Sequence, residues 1–242
     1  MLQSKARLLQ LNAKLAETLT SKGVTATADE TTTALVNKVA DITSGDDTFL
    51  KSVIDGSITS LNIPEDVDIT KIKIYGFAYS PQLDTVIINS KDLIIGEYAF
   101  VRCTNLRKVV CFAKAIKTQA FVWTNVKEMT LCCQEYSDNL TNSTALKTVY
   151  IGAEAVKISS GISMFNGTSN LEFVTLGDNF NCDNLNLSSS TKYSRETILQ
   201  WLNALADRTG RTAYKLTIGA TNLAKLTEDD ILIATNKNWT LA

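Results

Sequence analysis

From residue 58 onward the chain repeats one apolar signature, apolar-x-x-apolar-x-apolar. Its copies are Ile58/Leu61/Ile63, Leu83/Val86/Ile88, Leu106/Val109/Cys111, Val126/Met129/Leu131, Leu146/Val149/Ile151 and Leu171/Val174/Leu176. Successive starts are separated by 25, 23, 20, 20 and 25 residues. This period constrains the fold more than any other feature, because a unit so short cannot bury its own apolar face and must stack on its neighbours. Four copies are preceded by a phenylalanine: Phe77, Phe100, Phe121 and Phe165 lie 6, 6, 5 and 6 residues ahead of Leu83, Leu106, Val126 and Leu171. The turn before Leu146 lacks one.

The spacing predicts a strand in each copy, its three apolar residues facing a shared core and the phenylalanine of each return segment filling the space between successive coils. A small residue before the ring (Gly76, Ala99, Ala120) lets the backbone turn close to its neighbour. Asn105, Asn125 and Asn170, one residue before their strands, suit turns in which the side chain bonds its own backbone. The positions between the inward residues form an outer face. On it the reading places Arg107, Lys108, Lys127, Glu128, Lys147, Tyr150, Glu172 and Phe173 as candidate binding residues, with the two aromatics as anchors.

The segment IIGEYAFVRCTNLRKVVC, residues 94–111, resembles the BspA-like leucine-rich repeat at Gly96, Ala99, Phe100, Cys103, Leu106 and Val109. The resemblance spans about residues 57–180 and departs at Cys132 to Ala145 and Gly152 to Met164, where irregular coils are expected. It implies an α+β chain built on a leucine-rich-repeat β-solenoid of about six coils.

The flanks read differently. Residues 4–21 suit an amphipathic helix with Leu8, Leu11, Leu15 and Leu19 along one stripe and Gly23 ending it. A second helix is expected from Thr27, where Thr27 and Glu30 fit a capping box, followed by a linker at residues 43–47. After the repeats, a helix is expected from Arg195 to Arg208, capped by Ser194, turned inward at Ile198, Leu199, Leu202 and Leu205 and stopped by Gly210. A strand at Lys215 to Ile218, a helix capped by Thr227 and Asp230, and a strand at Trp239 to Leu241 complete a cap over the open end of the repeats. The chain is thus read as an N-terminal helical module (1–47), the solenoid (48–182) and a C-terminal α/β cap (183–242).

Composition narrows the chemistry. The 242 residues include no histidine, so the commonest general base and metal ligand is missing, and the formal net charge of −1 carries no basic run for a phosphate backbone. The five cysteines match neither a zinc spacing nor a redox motif and read as buried thiols. Asp229 and Asp230 read as helix-capping carboxylates. A non-enzymatic chain is expected, with no cofactor, no metal, no nucleic-acid partner, no membrane span and no signal peptide.

The C-terminal segment around LADRTG, residues 205–210, and the N-terminal residues 15–42 resemble tail-associated and fibre-like structural proteins of bacteriophages and prophages. That resemblance implies a virion appendage of tail-fibre, baseplate or head-fibre type, made in the host cytoplasm. Its N-terminal module would join other virion proteins and form a homo-oligomer, favouring a trimer through the Leu8/Leu11/Leu15/Leu19 stripe. Its repeat face would bind a host-surface glycan or protein. The alternatives are a purely architectural capsid or tail component and a bacterial surface adhesin.

Overall fold

The computed structural model describes residues 12–13, 16–17, 19–20, 25–27, 30–31, 59–65, 70–137, 140–159 and 164–242. The chain divides into two compact units, Met1–Ser57 and Ile58–Ala242. In the first, residues 12–13, 16–17 and 19–20 are helical, with Ala16 and Leu19 buried. The Thr27 N–H donates to Glu30 Oε1 at 2.7 Å, the backward half of a capping box. Leu8, Leu11, Leu15, Gly23 and nearly all of the helix expected after Thr27 lie outside the described residues.

Among its described residues the second unit begins with nine strands: β1 (Ser60–Ile63), β2 (Lys71–Ile72), β3 (Thr85–Ile95), β4 (Lys108–Ile116), β5 (Glu128–Leu131), β6 (Glu135–Tyr136), β7 (Thr148–Ile151), β8 (Lys157–Ile158) and β9 (Phe173–Leu176). Their main ladder runs β1-β3-β4-β5-β7-β9, parallel at every step. The register follows the repeat: Val86 pairs with Val109, Val109 with Met129, Met129 with Val149 and Val149 with Val174. Every described residue of the apolar signature is at most 5% exposed. Each buried aliphatic side chain contributes roughly 1.5–3 kcal/mol before the entropy of ordering is subtracted. The result is a solenoid-like α+β fold.

A second, shorter parallel ladder runs beside the first. Ile72 pairs with Ile95, Ile95 with Ile116, Ile116 with Tyr136 and Tyr136 with Ile158, all buried. Strands β3 and β4 are long because each joins both ladders, and β3 does so through an irregularity between Ser90 and Ile94.

The return segments form a third set of links. Phe77, Phe100 and Phe121 stack in a column, with ring centroids 5.2 and 5.1 Å apart. Around each ring the backbone alternates. Residues two before and two after the phenylalanine (Tyr75 and Tyr79, Tyr98 and Arg102, Gln119 and Trp123) hold positive φ between 55° and 59°. This alternation aims every second N–H along the stack: Tyr75, Phe77 and Tyr79 donate to the carbonyls of Glu97, Ala99 and Val101 at 3.2, 2.8 and 2.8 Å. The intervening Gly76 and Ala78 close turns within their own coil, onto Lys73 and Tyr75. All these N–H groups are thereby satisfied without regular secondary structure.

The coil that lacks a phenylalanine is not empty at this place. Leu140, fully buried, accepts from the Phe121 N–H at 2.9 Å and donates to the Met164 carbonyl at 2.8 Å. The asparagines differ from expectation. Asn125 Nδ2 donates to Thr104 O at 2.7 Å and Asn170 Nδ2 to Thr144 O at 2.8 Å, so these side chains tie adjacent coils together. Strands in a sheet lie roughly 4.8 Å apart, which brings the neighbouring coil's carbonyl within reach of an asparagine amide.

Beyond β9 the chain forms β10 (Leu185–Asn186), α1 (Arg195–Ala204), β11 (Tyr214–Thr217), α2 (Ala220–Leu223), α3 (Glu228–Asn236) and β12 (Trp239–Leu241). Strands β10, β11 and β12 make a separate parallel sheet. Helix α1 starts where expected, with Ser194 Oγ accepting from the Thr197 N–H at 3.1 Å. It packs on β9, and Trp201 Nε1 donates to Val174 O at 2.8 Å. The helix ends at Ala204, short of the predicted Arg208, because Leu205 turns extended and bridges to Phe180. Lys237 Nζ then donates to the freed carbonyls of Leu202, Asn203 and Leu205 at 3.0, 2.7 and 2.9 Å. The inward set of α1 is Thr197, Ile198, Trp201 and Leu202, while Leu199 is half-buried.

Candidate functional site

The outer face of the main ladder is built from side chains that alternate with the buried signature. Two rows run across it: Ser60, Thr85, Lys108, Glu128, Thr148 and Phe173 in one, Asn62, Ile87, Val110, Thr130, Tyr150 and Thr175 in the other. Lys108, Lys127, Glu128, Lys147, Tyr150 and Phe173 are exposed, whereas Arg107 and Glu172 are half-buried.

Much of the charge on this face is paired along the stack. Lys108 Nζ lies 3.9 Å from Glu128, its partner in the register, and Lys147 Nζ lies 4.0 Å from Glu172. Arg107 turns a guanidinium N–H back to Thr104 O at 3.1 Å. Exposed pairs of this kind contribute about 0–1 kcal/mol each, so their role is to neutralise charge more than to hold the coils. Phe173 and Tyr150 are 57% and 37% exposed. They are not register partners: Tyr150 pairs with Thr175 and Thr148 with Phe173, so the two rings are diagonal neighbours on adjacent strands.

None of the five cysteines forms a disulfide, and all but Cys132 are buried. Burial pushes the Cys103 and Cys182 thiols up to about 11, and Cys132, half-exposed and next to Glu154, to about 11 as well. The Cys111 and Cys133 sulfurs lie 3.4 Å apart in the core, and burial holds Cys111 far above the ordinary thiol value. Such protonated thiols are poor nucleophiles.

Of the turn edge, the sequence points only to Trp123, which closely follows the Phe121 turn and suits the convex surface. Tyr75, Tyr79 and Trp123 are exposed large aromatics on the return segments, and Arg102 lies between the latter two. A usable signal was present: Tyr75 and Tyr98 stand two residues before Phe77 and Phe100, and Tyr79, Arg102 and Trp123 two residues after Phe77, Phe100 and Phe121. The Tyr75 ring stacks on that of Tyr98 in the next coil at 5.2 Å.

A model of the BspA type leucine rich repeat region matches residues 51–172 in six copies. The chain belongs to the BspA-type leucine-rich-repeat family. No curated protein matches it. Among solved structures it is similar to a leucine-rich-repeat protein of T. pallidum, at 13% identity and a TM-score of 0.39, over 76% of this chain and 85% of that one. The BspA-type match spans all of β1–β8, and with them the Phe77, Phe100 and Phe121 rings and most of the outer face.

Proposed function

We propose that this BspA-type chain is a non-enzymatic attachment protein that binds another macromolecule through the outer face of its main ladder. The observation that carries this reading is the exposure of Tyr150 and Phe173 on a rigid sheet whose neighbouring charges are already paired. An aromatic residue on a hydrogen-bonded strand has no backbone freedom left to lose on binding, and charges that arrive paired reduce the desolvation cost around it. Lys127, exposed just ahead of β5 and without an ion pair among the described residues, adds a positive group to the same face.

Within this reading the chain is a phage or prophage appendage, a solenoid of about six coils whose residues 1–47 join it to the particle as a homotrimer through the Leu8/Leu11/Leu15/Leu19 stripe. The likeness of both ends to phage tail and fibre proteins supports that origin. The ligand is then a glycan or protein on the host surface. The test is adsorption: Tyr150→Ala combined with Phe173→Ala should abolish binding of the purified chain to host cells without changing its melting temperature. Unchanged adsorption would remove the face from consideration. In a purely architectural component the same double substitution instead costs particle assembly and leaves cell binding untouched.

A further inference from the structure

The return-turn edge breaks a local rule in a regular way. Left-handed backbone costs a residue with a side chain about 1–2 kcal/mol, and glycine nearly nothing. The chain itself contains the glycine solution: Gly167, two residues after Phe165, holds φ +81 at the place occupied by Tyr79, Arg102 and Trp123 in other coils. Bulky side chains are therefore carried at these positions against the backbone preference, a pattern that concentrates at functional sites.

What those side chains present is specific. The Arg102 guanidinium carbon lies 5.7 Å from the Tyr79 ring centre and 5.0 Å from that of Trp123, a cation held between two aromatic faces. Tyr79 and Trp123 are 63% and 53% exposed. Among the described residues Arg102 makes no ion pair and no side-chain hydrogen bond, so its fork of N–H donors faces solvent, already oriented by the rings. The guanidinium covers one face of each ring, and the exposed remainder of Tyr79 and Trp123 includes their electropositive edges, with a phenol and an indole N–H as donors. Every one of these groups favours an acceptor or a negative charge.

We propose that the edge formed by Tyr79, Arg102 and Trp123 is a second docking surface, and that it takes an acidic segment of a partner protein whose carboxylate is gripped by Arg102 while apolar neighbours lie along the rings. Tyrosine, tryptophan and arginine are the residues that dominate protein–protein binding energy. A polyanionic glycan or nucleic acid fits less well. It needs several clustered cations, and the flanking Lys73 and Glu97 on these turns are of opposite sign.

The fluorescence of Trp123 provides the test, because Trp201 and Trp239 are buried to 0% and 2% exposure. Acrylamide quenching of the full chain is followed with a short alternating Glu–Leu peptide, the corresponding Lys–Leu peptide, and dextran sulfate. The Glu–Leu peptide should protect Trp123, with protection weakening as salt is raised. Arg102→Gln should reduce its affinity by about tenfold or more, the loss expected for a charge-assisted contact, and Arg102→Lys should recover part of it. The Tyr150→Ala, Phe173→Ala chain should bind the peptide like the parent, which separates this surface from the outer face. Equal protection by the Lys–Leu peptide, protection by dextran sulfate alone, affinity insensitive to salt, or full affinity in a folded Arg102→Gln chain each overturn the proposal.

Discussion

The ring of Phe100 lies 5.1 Å from that of Phe121, the two planes only 5° from parallel, and Phe77 stacks on its other side at 5.2 Å. Phe100 is therefore the middle of a continuous column and touches coils both above and below. Phe100→Ala should destabilise the second unit by about 3–5 kcal/mol, because the rigid backbone ladder on either side prevents the cavity from collapsing. Urea unfolding measures this. A loss below about 1 kcal/mol would mean that the column is not part of the core.

Gly96 has an ordinary φ, so its requirement is space. A Cβ placed there would lie 2.6 Å from Ile72 O and 2.8 and 2.9 Å from Lys73 C and Ile74 N, all backbone atoms of the preceding coil. Backbone cannot rotate away as a side chain can. Gly96→Ala should cost about 1–3 kcal/mol or more and lower the melting temperature. Equal stability of Gly96→Ala and the parent would show that β2 and β3 are not held at this separation.

Acid should loosen the C-terminal segment through Asp230. Its carboxylate accepts two bonds from Arg195, at 2.8 and 2.6 Å, and closes a capping box on Thr227. The Arg195 bond, followed by the Thr227 N–H, holds the Asp230 carboxyl below the usual aspartate value. A carboxylate depressed in the folded state contributes stability above its unfolded value of about 3.9, and that contribution is lost as pH falls through the folded value. The melting temperature should therefore hold from neutrality to about pH 4 and fall below it. Asp230→Asn should start lower at neutral pH and show a shallower acid slope; a slope identical to the parent's would exclude this carboxylate as the sensor.

The thiols supply a reactivity series. At pH 8 a group raised to about 11 is almost entirely protonated, so Cys103, Cys132 and Cys182 should alkylate far more slowly in the native chain than after unfolding. Cys132, half-exposed, should label first, and Cys111 and Cys133, in mutual contact in the core, last. Mass spectrometry of iodoacetamide-treated peptides orders them. Early labelling of Cys111 would contradict its place in the core.

The main ladder was legible because two periods coincide in it: alternation within each strand and a return every 20–25 residues, which together place Val86, Val109, Met129, Val149 and Val174 in one buried row. The second ladder was not. Its strands β2, β6 and β8 have two residues each, too few to alternate, and their one inward residue looks like any other Ile or Tyr. The available cue was distance, since Ile72, Ile95 and Ile116 each stand five residues before a phenylalanine. Leu140 does not stand out as a counterpart of the phenylalanines, although the position requires only an apolar side chain of sufficient volume. The outer-face positions followed from alternation, but the cross-coil pairing of Lys147 with Glu172 and the diagonal offset of Tyr150 and Phe173 needed the register. Trp123 suits the surface from its place after the Phe121 turn, but its grouping with Tyr79 and Arg102 needed the structure, because a tyrosine, arginine or tryptophan does not by itself announce left-handed backbone.

All the ladder bonds point from one coil to the next, and that direction has a mechanical consequence. A load applied along the stack meets the rows one after another, so the second unit should yield stepwise as a tether rather than snap as a block. Each released repeat of 20–25 residues would add roughly 65–90 Å of slack. In the attachment role proposed above, such stepwise lengthening would dissipate a pull before the bound contact had to carry it. Single-molecule extension should record a sawtooth with that spacing.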